Sequence, residues 1–236
     1  MDERTRADQI LRTLKQDFSL QQWTKTEREP FQTLIRTVLS QATNDRNRDR
    51  AYQNLSDRYD ITPQALARAN VQDIQKAIRV GGLHKSKSRK IKELSKTILE
   101  SFNASLDFVY SEPLEKARSM LMTIPAVGPK TADVVLLFSA GRPTVPVDTH
   151  VKRVSRRLAL APLRGNYEDI RKSLEALYRP GDYLAIHLLL ISLGREYCRA
   201  RNPLHKPCPV NSLCPVPQKE AKQPELHKLH GTRDYP

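Results

Sequence analysis

Glycine is scarce in this chain, 8 of 236 residues. Its longer stretches also lack the every-second-residue alternation of β-branched side chains that half-buried strands require. Both absences favour helices. Cysteine is nearly absent. There are three, an odd number, and all fall between Cys198 and Cys214. A disulfide framework would use an even number spread through the fold. Thiols confined to one short stretch point instead to a metal or cluster site in a reducing compartment. No apolar run approaches the roughly 20 residues needed to cross a bilayer. Leu184–Leu193 is the longest candidate, and it is short and carries His187. Residues Met1-Asp2-Glu3-Arg4-Thr5-Arg6 are charged and have no apolar centre of the signal-peptide kind. A cytoplasmic chain with no membrane role is expected.

Acid is in deficit as well: 26 Asp and Glu stand against 40 Lys and Arg, a net charge of +14. The simplest partner for so much positive charge is a polyanion, most simply nucleic acid. A ribosome-like or merely soluble basic protein is the bland alternative, which charge alone leaves open.

Apolar spacing reads as about ten short helices with short connections and no convincing strand. The clearest stripe is Phe31, Leu34, Ile35, Val38 and Leu39, with Pro30 near its start. Thr62-Pro63 reads as a cap followed by proline at a first helical position. Gly81-Gly82 stops one helix, and a long basic one is expected from Ser86 to Phe102. From Pro215 the chain is polar and proline-bearing, with little to bury, and a loose tail is expected.

The segment Ile124-Pro125-Ala126-Val127-Gly128-Pro129-Lys130-Thr131-Ala132 reads as a tight hairpin between two helices. Gly128 is expected to supply backbone angles forbidden to other residues. Amides at the start of the second helix can hold a DNA phosphate without reading any base. A lone Pro-x-x-Gly corner is more often an ordinary turn. Here a lysine sits just inside the second helix, and Val147-Asp148-Thr149-His150 follows further on. An amine and a carboxylate associated with one DNA-binding hairpin are the parts needed to displace a base at the sugar carbon.

With the hairpin, Leu39-Ser40-Gln41-Ala42-Thr43, Gly82-Leu83-His84-Lys85-Ser86-Lys87 and the loop Cys198-x6-His205-x2-Cys208-x5-Cys214, the chain resembles endonuclease III. That family belongs to the helix-hairpin-helix DNA glycosylases. The likeness runs from about Phe31 to Cys214 and is nearest the archaeal branch.

The resemblance implies an all-α fold of two helical lobes with a DNA groove between them, a helix-hairpin-helix motif and a C-terminal Cys/His cluster loop. One lobe is expected over 23–133. The other comprises 1–22 with 134–214, and 215–236 is a flexible tail. It implies a DNA glycosylase with abasic-site lyase activity on oxidised pyrimidines, acting as a monomer on double-stranded DNA, in the cytoplasm at the nucleoid. Lys130 would be the Schiff-base nucleophile and Asp148 the carboxylate that stabilises developing charge or moves protons. Gln41 and Leu83 would fill the gap left by the extruded nucleotide. His84, Lys85, Lys87, Val127, Gly128, Thr131 and His150 are the further DNA-contact candidates.

Two basic groups are candidates for backbone phosphates: Arg79, Lys85, Lys87, Arg89, Lys90, Lys92 and Lys96, and then Lys152, Arg153, Arg156 and Arg157. Cys198, His205, Cys208 and Cys214 would hold a 4Fe–4S cluster with three thiolates and one imidazole. Zinc in a Cys3His site is the chemical rival, and a loop without metal is the third reading. Two positions depart from the family pattern. Ala126 stands where glycine is usual, and Met122 where bacterial relatives carry glutamate. The functional rivals are a monofunctional glycosylase for mismatched thymine, uracil or adenine, and a non-catalytic DNA-binding protein. Lys130 argues against the first and Asp148 against the second.

Overall fold

A computed structural model describes residues 1–20 and 29–216. The expected loose tail, apart from Pro215 and Val216, lies outside the described residues. Among the described residues there are twelve α-helices and no strand. In chain order they are α1 (Glu3–Asp17), α2 (Pro30–Ser40), α3 (Asp45–Ser56), α4 (Pro63–Arg68), α5 (Val71–Ala77), α6 (His84–Ser101), α7 (Phe108–Ser111), α8 (Leu114–Met122), α9 (Pro129–Ala140), α10 (Thr149–Arg157), α11 (Tyr167–Leu177) and α12 (Tyr183–Glu196). The single-turn α7 has too few residues to show a period and is not legible in the apolar spacing.

The chain divides into two compact units, Trp23–Pro146 and Met1–Gln22 with Val147–Pro236. The junction therefore falls after the hairpin's second helix rather than at 133. Residue 133 lies inside α9, with its side chain fully buried. A boundary there would cut a continuous hydrogen-bonded helix.

The first unit contains α2 to α9. Its core gathers the α2 stripe with Leu66, Ile74, Ile91, Leu94 and Ile98, and with Val135 and Leu136 of α9. Proline opens α2, and Glu29 accepts from the Phe31 and Gln32 amides that the helix start leaves unpaired. The long helix α6 buries Ile91, Leu94 and Ile98 on one face. Gly141, at φ 58°, closes α9 in the left-handed conformation that favours glycine.

The second unit packs α1 with α10, α11 and α12. Asp2 caps α1, and Asn166 with Asp169 forms a reciprocal capping box on α11. Arg6 of α1 donates to the carbonyls of Leu158 at 2.6 Å and Ala159 at 2.8 Å, at the end of α10. Helices α10 and α12 approach closely at Gly194. A Cβ there would lie 2.9 Å from His150 Nδ1, so only glycine fits.

Candidate active site and DNA interface

The hairpin turn is closed by Val127 N–H donating to the Ile124 carbonyl at 3.1 Å. Val127 is buried in the core of the first unit and anchors the turn. Its amide is also already engaged. The left-handed residue is Ala126, at φ 67° and exposed, not Gly128. Gly128 is extended, with φ −98° and ψ 180°, and a Cβ on it would meet nothing within 4 Å. The expected role of Gly128 is thus corrected. The turn places its unusual torsion two residues earlier, on an alanine. Pro129 opens α9 and Lys130 follows it, half-buried. Thr131 is buried, which leaves only its backbone for a phosphate.

Beneath Lys130, one turn further along α9, Asp133 receives two bonds from Arg118 of α8. Nε donates at 2.8 Å and a terminal nitrogen at 3.2 Å. Thr144 donates to the same carboxylate at 3.1 Å. This buried fork fixes the two helices on either side of the turn.

Gln41 caps the C-terminus of α2. Leu83 precedes α6 at φ 47° and is 60% exposed, although a leucine in this helical unit would ordinarily be core. His84 is half-buried and Lys85 exposed. Lys87 is not on the surface. It is 1% exposed, and its ammonium donates to two carbonyls. Lys92 likewise donates to Ala67 O and Ala69 O, at 3.1 and 2.6 Å. Arg79, Lys85, Arg89 and Lys96 remain exposed.

In the second unit, Asp148 is the N-cap of α10, and its Oδ1 accepts from Val151 N–H at 2.7 Å. His150 is half-buried, with Nδ1 3.1 Å from an Arg153 nitrogen. Burial lowers its pKa below 6.5, opposed by Asp148 and assisted by Arg153 and Arg195.

The α10 arginines are engaged within the chain. Arg153 donates to Cys198 O at 3.0 Å and Gly194 O at 2.9 Å, and Arg156 to Gly165 O at 2.6 Å. Arg157 donates to Arg199 O at 2.6 Å and Ala200 O at 3.2 Å. Lys152 alone of this group is exposed.

Those same bonds pin the cysteine loop to α10. Cys198, His205, Cys208 and Cys214 line one cavity of about 20 Å³. A nitrogen of Arg157 lies 3.5 Å from Cys198 Sγ. Burial is the main cause that raises the thiol pKa of Cys208 and of Cys214. Among the described residues, no three His, Cys, Asp or Glu side chains converge closely enough for a single ion.

The HhH-GPD superfamily of base excision DNA repair proteins matches residues 35–180. Endonuclease III of Sulfolobus acidocaldarius is 35% identical over 188 residues, 79% of this chain and 82% of that protein. The chain belongs to the endonuclease III family. Endonuclease III of Thermotoga maritima is 33% identical over 83% of this chain and 87% of its own length. That of Escherichia coli K12 is 32% identical over 80% and 85%. A non-covalent endonuclease III–DNA complex matches with TM-score 0.78 and 27% identity, covering 94% of this chain and 100% of that one. A trapped endonuclease III–DNA covalent intermediate matches at 0.75 and 29%, covering 91% and 98%.

A 4Fe–4S cluster is typical of the endonuclease III family, and Cys198, His205, Cys208 and Cys214 line one cavity. The Arg118–Asp133 fork and the inward course of Lys87 leave no local mark in the sequence. A basic residue every few positions reads as a solvated or phosphate-facing stripe, and nothing in the spacing says which lysine turns inward. The i,i+15 separation of Arg118 and Asp133 carries no local period either.

Proposed function

We infer that this chain is a base-excision DNA glycosylase with abasic-site lyase activity, acting on oxidised pyrimidines in double-stranded DNA. The observation that carries the reading is Lys130, seated at the start of the helix that leaves the hairpin. Its neutral amine attacks C1′ of the sugar. The N–C1′ bond forms, the glycosidic bond breaks, and the base leaves with a proton. The ring opens to a Schiff base. Loss of a C2′ proton then expels the 3′ phosphate, and water releases the lysine. Asp148 engages the Val151 amide through Oδ1, and we assign Oδ2 to the positive charge that develops on the sugar. The familiar glutamate is replaced by Met122, so no proton passes through that position.

We assign Gln41 and Leu83 to the gap left by the extruded nucleotide. The exposure of Leu83 favours this. Phosphate contact falls to His84, Lys85, the Gly128 and Thr131 backbone and the exposed lysines and arginines of the α6 region. Cys198, His205, Cys208 and Cys214 would hold a 4Fe–4S cluster. It would be a structural element of the loop and would supply no chemistry to base excision. A Cys3His site for zinc is the chemical rival. The exposed Arg199, Arg201 and Lys206 make the same loop suited to the DNA backbone. No described helix is long and apolar enough to cross a membrane. The reading carries with it a cytoplasmic, nucleoid-associated monomer.

Borohydride trapping tests the reading. The wild-type protein should become covalently joined to duplex DNA carrying an oxidised pyrimidine or an abasic site, and Lys130→Ala should not. Base release without any cross-link would favour the monofunctional rival, and DNA binding without either would favour the non-catalytic one.

A further inference from the structure

Lys87 is among the largest fully buried side chains of the chain, and it is a cation. Its ammonium donates to Leu39 O and to Gly81 O, each at 2.8 Å. Leu39 lies two residues before Gln41, and Gly81 two residues before Leu83. One side chain therefore bridges the two loops assigned to the extrusion gap. Both acceptors sit at the ends of helical segments, α2 and the 3-10 turn Arg79–Gly81, where carbonyls lack intrahelical partners and the dipole favours positive charge.

The backbone on both sides of the bridge is unusual. Ala42 has φ 50°, Gly82 φ 67° and Leu83 φ 47°. Left-handed torsions on alanine and leucine persist only where surrounding structure imposes them. A Cβ on Gly82 would lie 3.9 Å from Ala42 O, so the two loops run side by side. Lys90, three residues beyond Lys87 on α6, adds a second tie, with Nζ 3.3 Å from Gln41 Oε1. Leu83 is the N-cap of α6, and its carbonyl accepts from Lys87 N–H at 2.9 Å. The bridge and the wedge are thus parts of one helix start. An apolar side chain would fill the same space without the desolvation that a buried ammonium incurs. It could not fix the register of two carbonyls.

We propose that Lys87 is a positioning residue for base extrusion, its ammonium locking the Gln41 loop to the Leu83 turn so that both side chains enter the duplex in one register. The inference rests on the insertion reading of Gln41 and Leu83. It gives Lys87 no contact with DNA.

The test compares two reactions of the full-length protein under single-turnover conditions, below the melting temperature of every variant. One is release of an oxidised pyrimidine from a fully paired duplex. The other is borohydride trapping on a preformed abasic site, where no base has to be unpaired. A misregistered wedge should slow release by about 100-fold in Lys87→Met. Trapping should fall only a few-fold. Leu83→Ala should show the same selective loss, and adding Lys87→Met to it should cost little more. Lys87→Arg, which keeps the charge and can serve two acceptors, should fall between wild type and methionine. It also carries the comparison if the methionine variant fails to fold. Equal losses in both reactions would overturn the proposal, as would a full additional loss on top of Leu83→Ala. If Leu83→Ala releases the base at the wild-type rate, the insertion reading itself is wrong and Lys87 has nothing to position.

Discussion

Arg118 and Asp133 hold the two helices of the hairpin together through a buried two-pronged ion pair, 2.8 and 3.2 Å, one turn below Lys130. Asp133 is fully buried and Arg118 is 6% exposed. Removing one partner leaves the other charge in an apolar interior, at a cost of about 3–5 kcal/mol. Arg118→Met should lower the thermal midpoint by on the order of 10 °C, at about 2–4 °C per kcal/mol for a chain of this size. The double replacement Arg118→Met with Asp133→Leu should recover most of it. A single variant that melts like wild type would show that the pair does not hold the hairpin.

Ala126 offers a stabilising change. The left-handed torsion costs an alanine about 1–2 kcal/mol, and the greater freedom of glycine in the unfolded chain takes back about 0.4–1 kcal/mol. Ala126→Gly should raise the denaturation free energy by roughly 0.5–1 kcal/mol on these figures. It also removes an exposed methyl from the turn assigned to phosphate, so DNA affinity measured on the same sample should rise. A lower urea midpoint would contradict the positive φ.

Asp148 combines two roles that a pair of variants separates. Asparagine caps a helix as well as aspartate does, whereas alanine loses about 1 kcal/mol. Asp148→Asn should therefore melt with wild type, and Asp148→Ala earlier. Both should lose base excision by about 100-fold or more if the carboxylate stabilises charge in the reaction. Normal turnover by a well-capped Asp148→Asn would reduce this residue to its N-cap.

The cluster loop makes an analytical prediction. The purified protein should carry iron and acid-labile sulfide in equal amounts, with visible absorption and little zinc. His205→Ala should lower the iron content and His205→Cys should retain it. Colourless protein with stoichiometric zinc would establish the rival Cys3His site.

His150 should make stability depend on pH. Its folded pKa is lowered from 6.5, first by burial. Above that value the imidazole is neutral in both states. As the pH falls below 6.5, the unfolded chain takes up a proton that the folded chain resists. Stability should therefore decline from that point until the lowered folded pKa has been passed. His150→Gln should flatten this part of the curve. An NMR titration placing the His150 midpoint at or above 6.5 would remove the effect.

Much of this molecule can be read along the chain, for local reasons. Helix starts at Pro30, Pro63 and Pro129 follow from proline and its neighbours, and the all-α class follows from apolar period and scarce glycine. Lys130, Asp148 and the Cys/His register are recognisable because their spacing is fixed by short segments. What tertiary structure alone decided is direction and conformation at single residues. Lys87 and Lys85 have the same charge two positions apart, yet one enters the interior to reach two helix-end carbonyls and the other stays in water. Ala126, not Gly128, takes the left-handed torsion, beside a buried Val127. Arg153, Arg156 and Arg157 look like a phosphate-binding row and instead donate to backbone carbonyls. Composition and period report which side chains a segment carries; which carbonyl or solvent each one meets depends on segments distant in sequence, and only their packing settles it.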